Sequence, residues 1–174
     1  MELFKIHTKI LMPFVDDTLK ALGNMANLKA KPLTATQEEV DTFSFQGYAV
    51  CVVAHVFGEI EGKVLMHYHK DTALLIGNNI MRIMMGEESA EAEINEEIGD
   101  ALSEFSNTVI GRASRTLGES DLKITFEPPV FITGPDDMKS TLKGVVEILT
   151  IPIMIEGSKH FCLSYLLHSP TDKS

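Results

Sequence analysis

The chain has 174 residues, 44% of them hydrophobic and 23% charged, which is the composition of a soluble globular domain with its own core. Its formal net charge of −10 at pH 7 argues against a nucleic-acid partner, because phosphate binding demands a basic surface. No apolar run approaches the roughly 20 residues that span a bilayer, and no signal peptide is evident, so we expect a single cytoplasmic domain, residues 1–174, with no membrane partner.

The first half of the chain is predicted to contain a helix, a β-hairpin and a second helix. The hairpin turns at Ile60-Glu61-Gly62, and the Met-rich helix that follows ends at Gly86. Cys51 lies in the first hairpin strand and Cys162 in a later apolar run, so we expect both to be buried free thiols. The predicted elements are a helix over 9–26, strands over 41–56 and 63–69, and a helix over 71–86.

The second half has a similar order of elements. A polar, acidic stretch over 87–93 leads into a long helix, and Gly118 ends that helix. The last hairpin turns at Ile155-Glu156-Gly157, which is the same tripeptide as in the first hairpin. The predicted elements are a helix over 91–117, extended segments over 121–126 and 131–133, and strands over 142–155 and 159–167.

The similar order of the two halves, about 1–86 and 87–174, predicts an internal duplication. The predicted fold class is α/β (α+β): a largely antiparallel sheet of two hairpin-bearing halves with long helices packed on it. A pseudo-two-fold would then relate the first helix to the helix over 91–117 and place the two side by side. Apolar segments of the hairpins, such as residues 145–155, could leave a sheet edge that pairs with a second copy.

The helix over 91–117 carries a polar stripe opposite its apolar side. Within an arc of roughly 60° lie Asp100, Glu104, Asn107 and Gly111. A surface helix ordinarily has a polar outer face that is simply solvated. Asn and Gly, however, are poor residues for a helix interior, where Glu, Lys or Gln would be expected. A small, uncluttered face with an asparagine on it suits close docking of another backbone.

The first helix contains a damaged echo of this stripe. Asp17 and Asn24 have the spacing of Asp100 and Asn107, but Ala21 stands where the second copy has Glu104. The chain therefore reads as a duplication in which one copy kept its chemistry. From the repeat we expect Asp17 and Asn24 to point outward on a second, inactive face.

The pattern Asp100-x3-Glu104-x2-Asn107, with Pro128-Pro129 roughly two dozen residues further on, resembles the CheC/CheX/FliY chemotaxis phosphatase family. The resemblance covers essentially the whole chain, including the duplicated halves. It is closest to CheX, which keeps one active motif, whereas CheC keeps two.

The resemblance implies an activity: removal of phosphate from the phospho-aspartate of a CheY-like response-regulator receiver domain. It implies that Asn107 orients the attacking water and that Glu104 engages the receiver's active-site lysine. Asp100 would support Glu104. The open helix face, rather than the resemblance, leads us to expect Gly111 at the partner contact. No cofactor of the chain's own is implied, since the Mg²⁺ belongs to the receiver, and a homodimer is expected because CheX-like proteins pair.

Two other functions stay open from the residues. A non-catalytic adaptor could use the same helix face to bind a receiver domain or a flagellar-switch component. A small metal-dependent hydrolase could be built on His67 and His69, which share one face of a predicted strand. Because no third ligand follows at a suitable spacing, we expect no metal site.

Overall fold

The structure is a computed structural model that describes residues 2–86, 88–157 and 159–169. Glu87, where the predicted polar stretch begins, lies outside the described residues. So do residue 1, where the first predicted half begins, and residues 170–174, where the second half ends. In chain order the elements are α1 Glu2–Ile6, a π-helical segment His7–Leu11, α2 Met12–Ala26, β1 Ala30–Pro32, β2 Thr36–Glu38, β3 Val50–Gly58, β4 Gly62–Tyr68, α3 Lys70–Met85, α4 Glu96–Gly118, β5 Ile124–Phe126, β6 Val130–Ile132, α5 Pro135–Ser140, β7 Val145–Ile155 and β8 Lys159–His168.

All the strands form one antiparallel sheet, and its pairing pattern is repeated about the centre. The strand order is β1-β7-β8-β4-β3-β5, with β2 also paired to β7 and β6 to β3. The short strands after α2 therefore pair with the second hairpin, and the short strands after α4 pair with the first hairpin. The predicted antiparallel, internally duplicated α/β fold is confirmed. The division of the chain near residue 86 stays a prediction.

The strand β7 is not a sheet edge, so this part of the sequence-based expectation is wrong. On one side β7 pairs with β8 along nearly its whole length, and on the other it pairs with β1 and β2. The edges are instead formed by short strands, one of which contains Pro32. A proline cannot donate to a further strand, and short edges offer little backbone for pairing with a second copy.

The helices α2, α3 and α4 pack on one face of the sheet and contact one another. A Cβ at Gly77 of α3 would come within 2.9 Å of the Ile98 side chain of α4, so the two helices approach each other closely at this glycine. In the π-helical segment that precedes α2, the Lys9 ammonium lies 3.2 Å from the carboxylate of Asp121, which follows α4. The first helix and the motif helix therefore lie side by side, as the duplication predicts.

Residues 39–48 and α5 cover the opposite face of the sheet. The predicted strand over 41–56 is wrong in its first part, because β3 begins only at Val50. The Phe43 amide instead donates to the Glu39 carbonyl at 2.9 Å, which satisfies the backbone in a turn, and Gly47 has a φ of 86°. The Phe43 and Phe45 rings pack edge to face at 5.1 Å beneath this turn. The sequence pattern did not predict α5.

Several predicted boundaries shift for local reasons. The motif helix starts at Glu96 rather than near 91, because the Asn95 side chain caps it by accepting from the Ile98 amide at 3.0 Å. Helical structure at the start of the chain extends back to Glu2 through the π-helical segment. Cys51 and Cys162 are buried free thiols, as predicted. Within the described ranges, no helix is long and apolar enough to cross a membrane.

Candidate functional site

The polar stripe predicted on α4 lies on the solvent side of the helix. Asp100, Glu104, Asn107 and Gly111 are all exposed. The opposite side of α4 is anchored in the core by apolar side chains, among them Ile98, Ala101, Leu102, Phe105 and Val109. The rigid helix therefore presents the four stripe residues together, on a convex surface and not in a pocket.

The polar side chains of the stripe have no partner in the described part of the chain. Asp100, Glu104 and Asn107 make no side-chain hydrogen bond or ion pair there, although they lie one turn or less apart on the helix. A free carboxylate can accept a hydrogen bond from a cation, and a carboxamide both donates and accepts. Held on one rigid face, Glu104 and Asn107 can therefore reach together into the site of a docked partner.

Pro128 and Pro129 form a connector that leads to a strand, and this strand supports the start of α4. Pro128 is exposed, Pro129 is half-buried, and β6 begins directly after them. In β6 the Phe131 ring lies against Gly99 of α4, where a Cβ would come within 3.4 Å of the ring. This contact lies one residue before Asp100, so the connector helps to set the position of the stripe's first turn.

The first copy of the motif differs from the second in exposure. Asp17 is only 6% exposed and Ala21 is fully buried, whereas Asn24 is exposed. The Thr116 hydroxyl of α4 donates to an Asp17 carboxylate oxygen at 3.3 Å and shares its proton with the Arg112 carbonyl oxygen at 3.1 Å. The expectation that Asp17 points outward is wrong, because this side of α2 lies against its neighbours in the helix layer.

His67 of β4 and His69, which directly follows that strand, each contact a different polar group of the chain. His67 is 1% exposed, and its Nε2 lies 3.0 Å from the Ser164 hydroxyl. Burial, with a smaller contribution from His69, lowers the pKa of His67 to about 3, so the ring is neutral. The His69 Nδ1 lies 2.8 Å from the Gly47 carbonyl. The part of the chain that the structure describes contains no group of three His, Cys, Asp or Glu able to hold a metal. The expected absence of a metal stays a prediction.

One cavity lies away from the stripe, on the other face of the sheet. It has a volume of about 690 Å³ and is enclosed by residues 40–48 and by α5 with its flanking residues. The two connections that enclose it occupy the same place in the two halves, between the short strand and the hairpin. No charged side chain of the stripe reaches it, so the exposed face of α4 is the candidate functional site.

Comparison with known proteins relates the chain to one family. A family model described as chemotaxis phosphatase CheX matches residues 50–154, which is more than half of the chain and includes the motif of α4. No protein with a curated description matches significantly.

Solved structures share the fold over nearly the whole chain. A CheC-like superfamily protein from Shewanella sp. PV-4 is 18% identical, with a TM-score of 0.70 over 93% of this chain and 99% of that one. The chemotaxis protein CheX from Desulfovibrio desulfuricans is 20% identical, with a TM-score of 0.67 over 90% and 97%. A chain of the CheX–CheY–BeF3–Mg²⁺ complex from Borrelia burgdorferi is 22% identical, with a TM-score of 0.67 over 91% and 97%.

Proposed function

Because the chain belongs to the CheX family of chemotaxis phosphatases, we propose that it accelerates hydrolysis of the phospho-aspartate of a CheY-like receiver domain. The observation that carries this proposal is the exposed Glu104 and Asn107 pair on α4, with neither side chain engaged within the described chain. The similarity to a structure named as a CheX–CheY complex with Mg²⁺ supports a receiver of the CheY type as the partner.

The proposed chemistry needs positioning more than activation. An acyl phosphate is already reactive, and the receiver's own Mg²⁺ would neutralise charge on the phosphoryl oxygens. A water oxygen forms the new bond to phosphorus as the bond between phosphorus and the aspartate oxygen breaks. Inorganic phosphate leaves, the carboxylate is regenerated, and the proton of the water is released. The Asn107 carboxamide would hold this water in line by accepting and donating hydrogen bonds.

Glu104 would act on the partner and not on the water. A receiver's active-site lysine carries a positive charge beside the phosphoryl group, and the Glu104 carboxylate could accept a hydrogen bond from it. Such a contact orients the docked receiver so that Asn107 reaches the phosphorus. Asp100, one turn earlier on the stripe, would support Glu104 by adding a second negative charge to the face that meets the lysine.

The test is a phosphate-release assay on a panel of receiver domains charged with acetyl phosphate, with and without the protein. We expect faster release from at least one receiver and loss of most of the acceleration in Glu104→Ala and Glu104→Lys. The fold should survive both changes, since the side chain is exposed. Binding to a receiver without any acceleration would favour the non-catalytic adaptor instead, and unchanged release from every receiver would refute the phosphatase.

We also propose that the protein is a homodimer, on the strength of its family alone. Light scattering at tens of micromolar measures this directly. A mass of twice 19.2 kDa is the expected result. A monomer at that concentration would contradict it.

A further inference from the structure

Gly111 is a glycine that the chain's own fold does not require. It lies in the interior of α4, far from both helix ends, and it is exposed. A Cβ built there meets nothing within 4 Å, and the backbone is not in the left-handed region. Glycine is the least favourable residue for a helix interior after proline, so alanine would suit this helix better. The reason for the glycine therefore lies outside the described chain.

The position of Gly111 on the stripe indicates what that reason is. It lies one turn beyond Asn107, about 6 Å along the axis, and at nearly the same angle as Glu104 and Asn107. Without a side chain, the surface at this point lies roughly 3 Å closer to the helix axis than elsewhere on the helix. The stripe thus ends in a shallow depression that only backbone atoms line.

The first copy of the motif lacks this depression. The residue that follows Asn24 at the same distance is Leu28, which is half-buried. The helix α2 has already ended there, because Asn27 takes a left-handed conformation with a φ of 51° and caps it. The copy with an intact Glu–Asn pair is therefore also the copy with an open helix surface one turn further on.

We propose that the backbone of the docked receiver approaches α4 at Gly111, and that this close contact sets how deeply Glu104 and Asn107 enter the receiver's active site. The inference rests on the proposed function and names the docking position within that site. A receiver backbone segment fits the depression because glycine is the residue that lets two backbones come close. The contact is one of packing, since the helix hydrogen bonds at Gly111 are satisfied within α4.

Gly23 provides a matched control within the same chain. It is also an exposed glycine inside a helix, and a Cβ there likewise meets nothing within 4 Å. It lies beside Asn24 in the inactive copy and has no place in the proposed docking face. Substitutions at the two glycines should therefore change the stability of the fold in the same way but change the rate of receiver dephosphorylation differently.

The experiment compares Gly111→Ala and Gly111→Leu with Gly23→Ala and Gly23→Leu. The readouts are the thermal unfolding midpoint and the kcat and KM of receiver dephosphorylation. Both alanine variants should raise the unfolding midpoint, by about 2–4 °C at Gly111. Gly111→Ala should lower kcat/KM about tenfold and Gly111→Leu about 100-fold, because a side chain overpacks the contact. The Gly23 variants should stay within about twofold of wild type.

The outcomes separate this inference from the function on which it rests. If the wild-type protein accelerates no receiver, both the function and the docking position are refuted. If the wild type is active and Gly111→Leu keeps wild-type kcat/KM, only the docking position is refuted. A fall in the unfolding midpoint of Gly111→Ala would also refute it, because the glycine would then be required by the fold. A stabilised Gly111→Ala protein with weakened activity supports the inference.

Discussion

Each copy of the Asp-x3-x-x2-Asn spacing brings its residues to one face of a helix, but the two faces differ in their exposure to solvent. On α4 the whole stripe is exposed, whereas on α2 the first two motif positions, Asp17 and Ala21, are buried. Both helices lie in the same layer and contact each other. Identical spacing thus brings residues to one face of a helix, but the neighbours decide whether that face meets solvent.

The flanking residues explain the difference. On α2 the stripe around Ala21 continues through Phe14 and Met25, both of which are buried. At the corresponding places on α4 stand Glu97 and Thr108, neither of which belongs to the core. The apolar sector of α2 is therefore wider than that of α4, so more of the circumference of α2 packs against neighbouring elements. The Asp17 carboxylate is taken into the helix layer, where the Thr116 hydroxyl donates to it.

The largest effect should separate the two asparagines. Asn107→Ala should lower the rate of receiver dephosphorylation by about 10²- to 10³-fold, because one positioning group at a transition state is lost. Asn24→Ala removes the same exposed amide from the inactive copy and should leave the rate unchanged. Steady-state phosphate release measures both. An Asn107→Ala protein with near wild-type turnover would refute the assigned role.

The next largest effect should come from restoring the missing carboxylate. Ala21→Glu gives α2 the full motif, but position 21 is fully buried, so the charge would lack both water and a partner. We expect a loss of roughly 3–5 kcal/mol in the free energy of unfolding and no gain in activity. Urea denaturation measures the first. The exposed counterpart, Glu104→Ala, should change stability by less than about 0.5 kcal/mol. A stable, more active Ala21→Glu protein would contradict the packing described for α2.

A pH titration should separate the buried sheet from the exposed stripe. The pKa of His67 is lowered to about 3, so the folded protein keeps this ring neutral while the unfolded chain protonates it near its ordinary pKa of 6.5. The unfolded state then binds the extra proton, and stability falls as the pH falls below 6.5, by at most about 1.4 kcal/mol per pH unit. Unfolding curves between pH 7 and 5 measure the slope. His67→Phe should flatten it, and Glu104→Gln should not. An unchanged slope in His67→Phe would assign the effect to other groups.

The smallest effect should come from the part-buried hydrogen bond between Thr116 of α4 and Asp17 of α2. Removing the Thr116 hydroxyl with Thr116→Val should cost about 0.5–1 kcal/mol, since the single proton is shared with a backbone oxygen. A double-mutant cycle with Asp17→Ala, which removes the acceptor, isolates the pair. Dephosphorylation should be nearly intact in the folded Asp17→Ala/Asn24→Ala protein. A large loss of turnover there would mean that the first copy also works.

Much of the fold follows from local patterns. The paired Ile-Glu-Gly turns mark two hairpins, and the amphipathic spacing of α4 indicates which of its sides is exposed. The exposed Glu104 and Asn107 were predicted for this reason, since nothing on the polar side of α4 competes with solvent. The sequence indicates the burial of Asp17 only weakly, through the apolar Phe14 and Met25 that lie near it at helical spacing. The asparagine spacing alone does not indicate this burial.

The sequence by itself determined the helices α2, α3 and α4, the two hairpins, the duplicated order and the polar stripe, because each depends on residues a few positions apart. Only the tertiary structure decided which strands became neighbours. The segments that follow α2 and α4 cross to the opposite hairpin and thereby cover β7 and β3, a pairing between residues far apart that no local period encodes. The tertiary structure also turned residues 39–48 into a cover for the second face of the sheet, since their aromatic side chains are partly buried there by packing and not by strand pairing. Contacts of this kind are set by which apolar surfaces meet, and that is a property of the assembled chain.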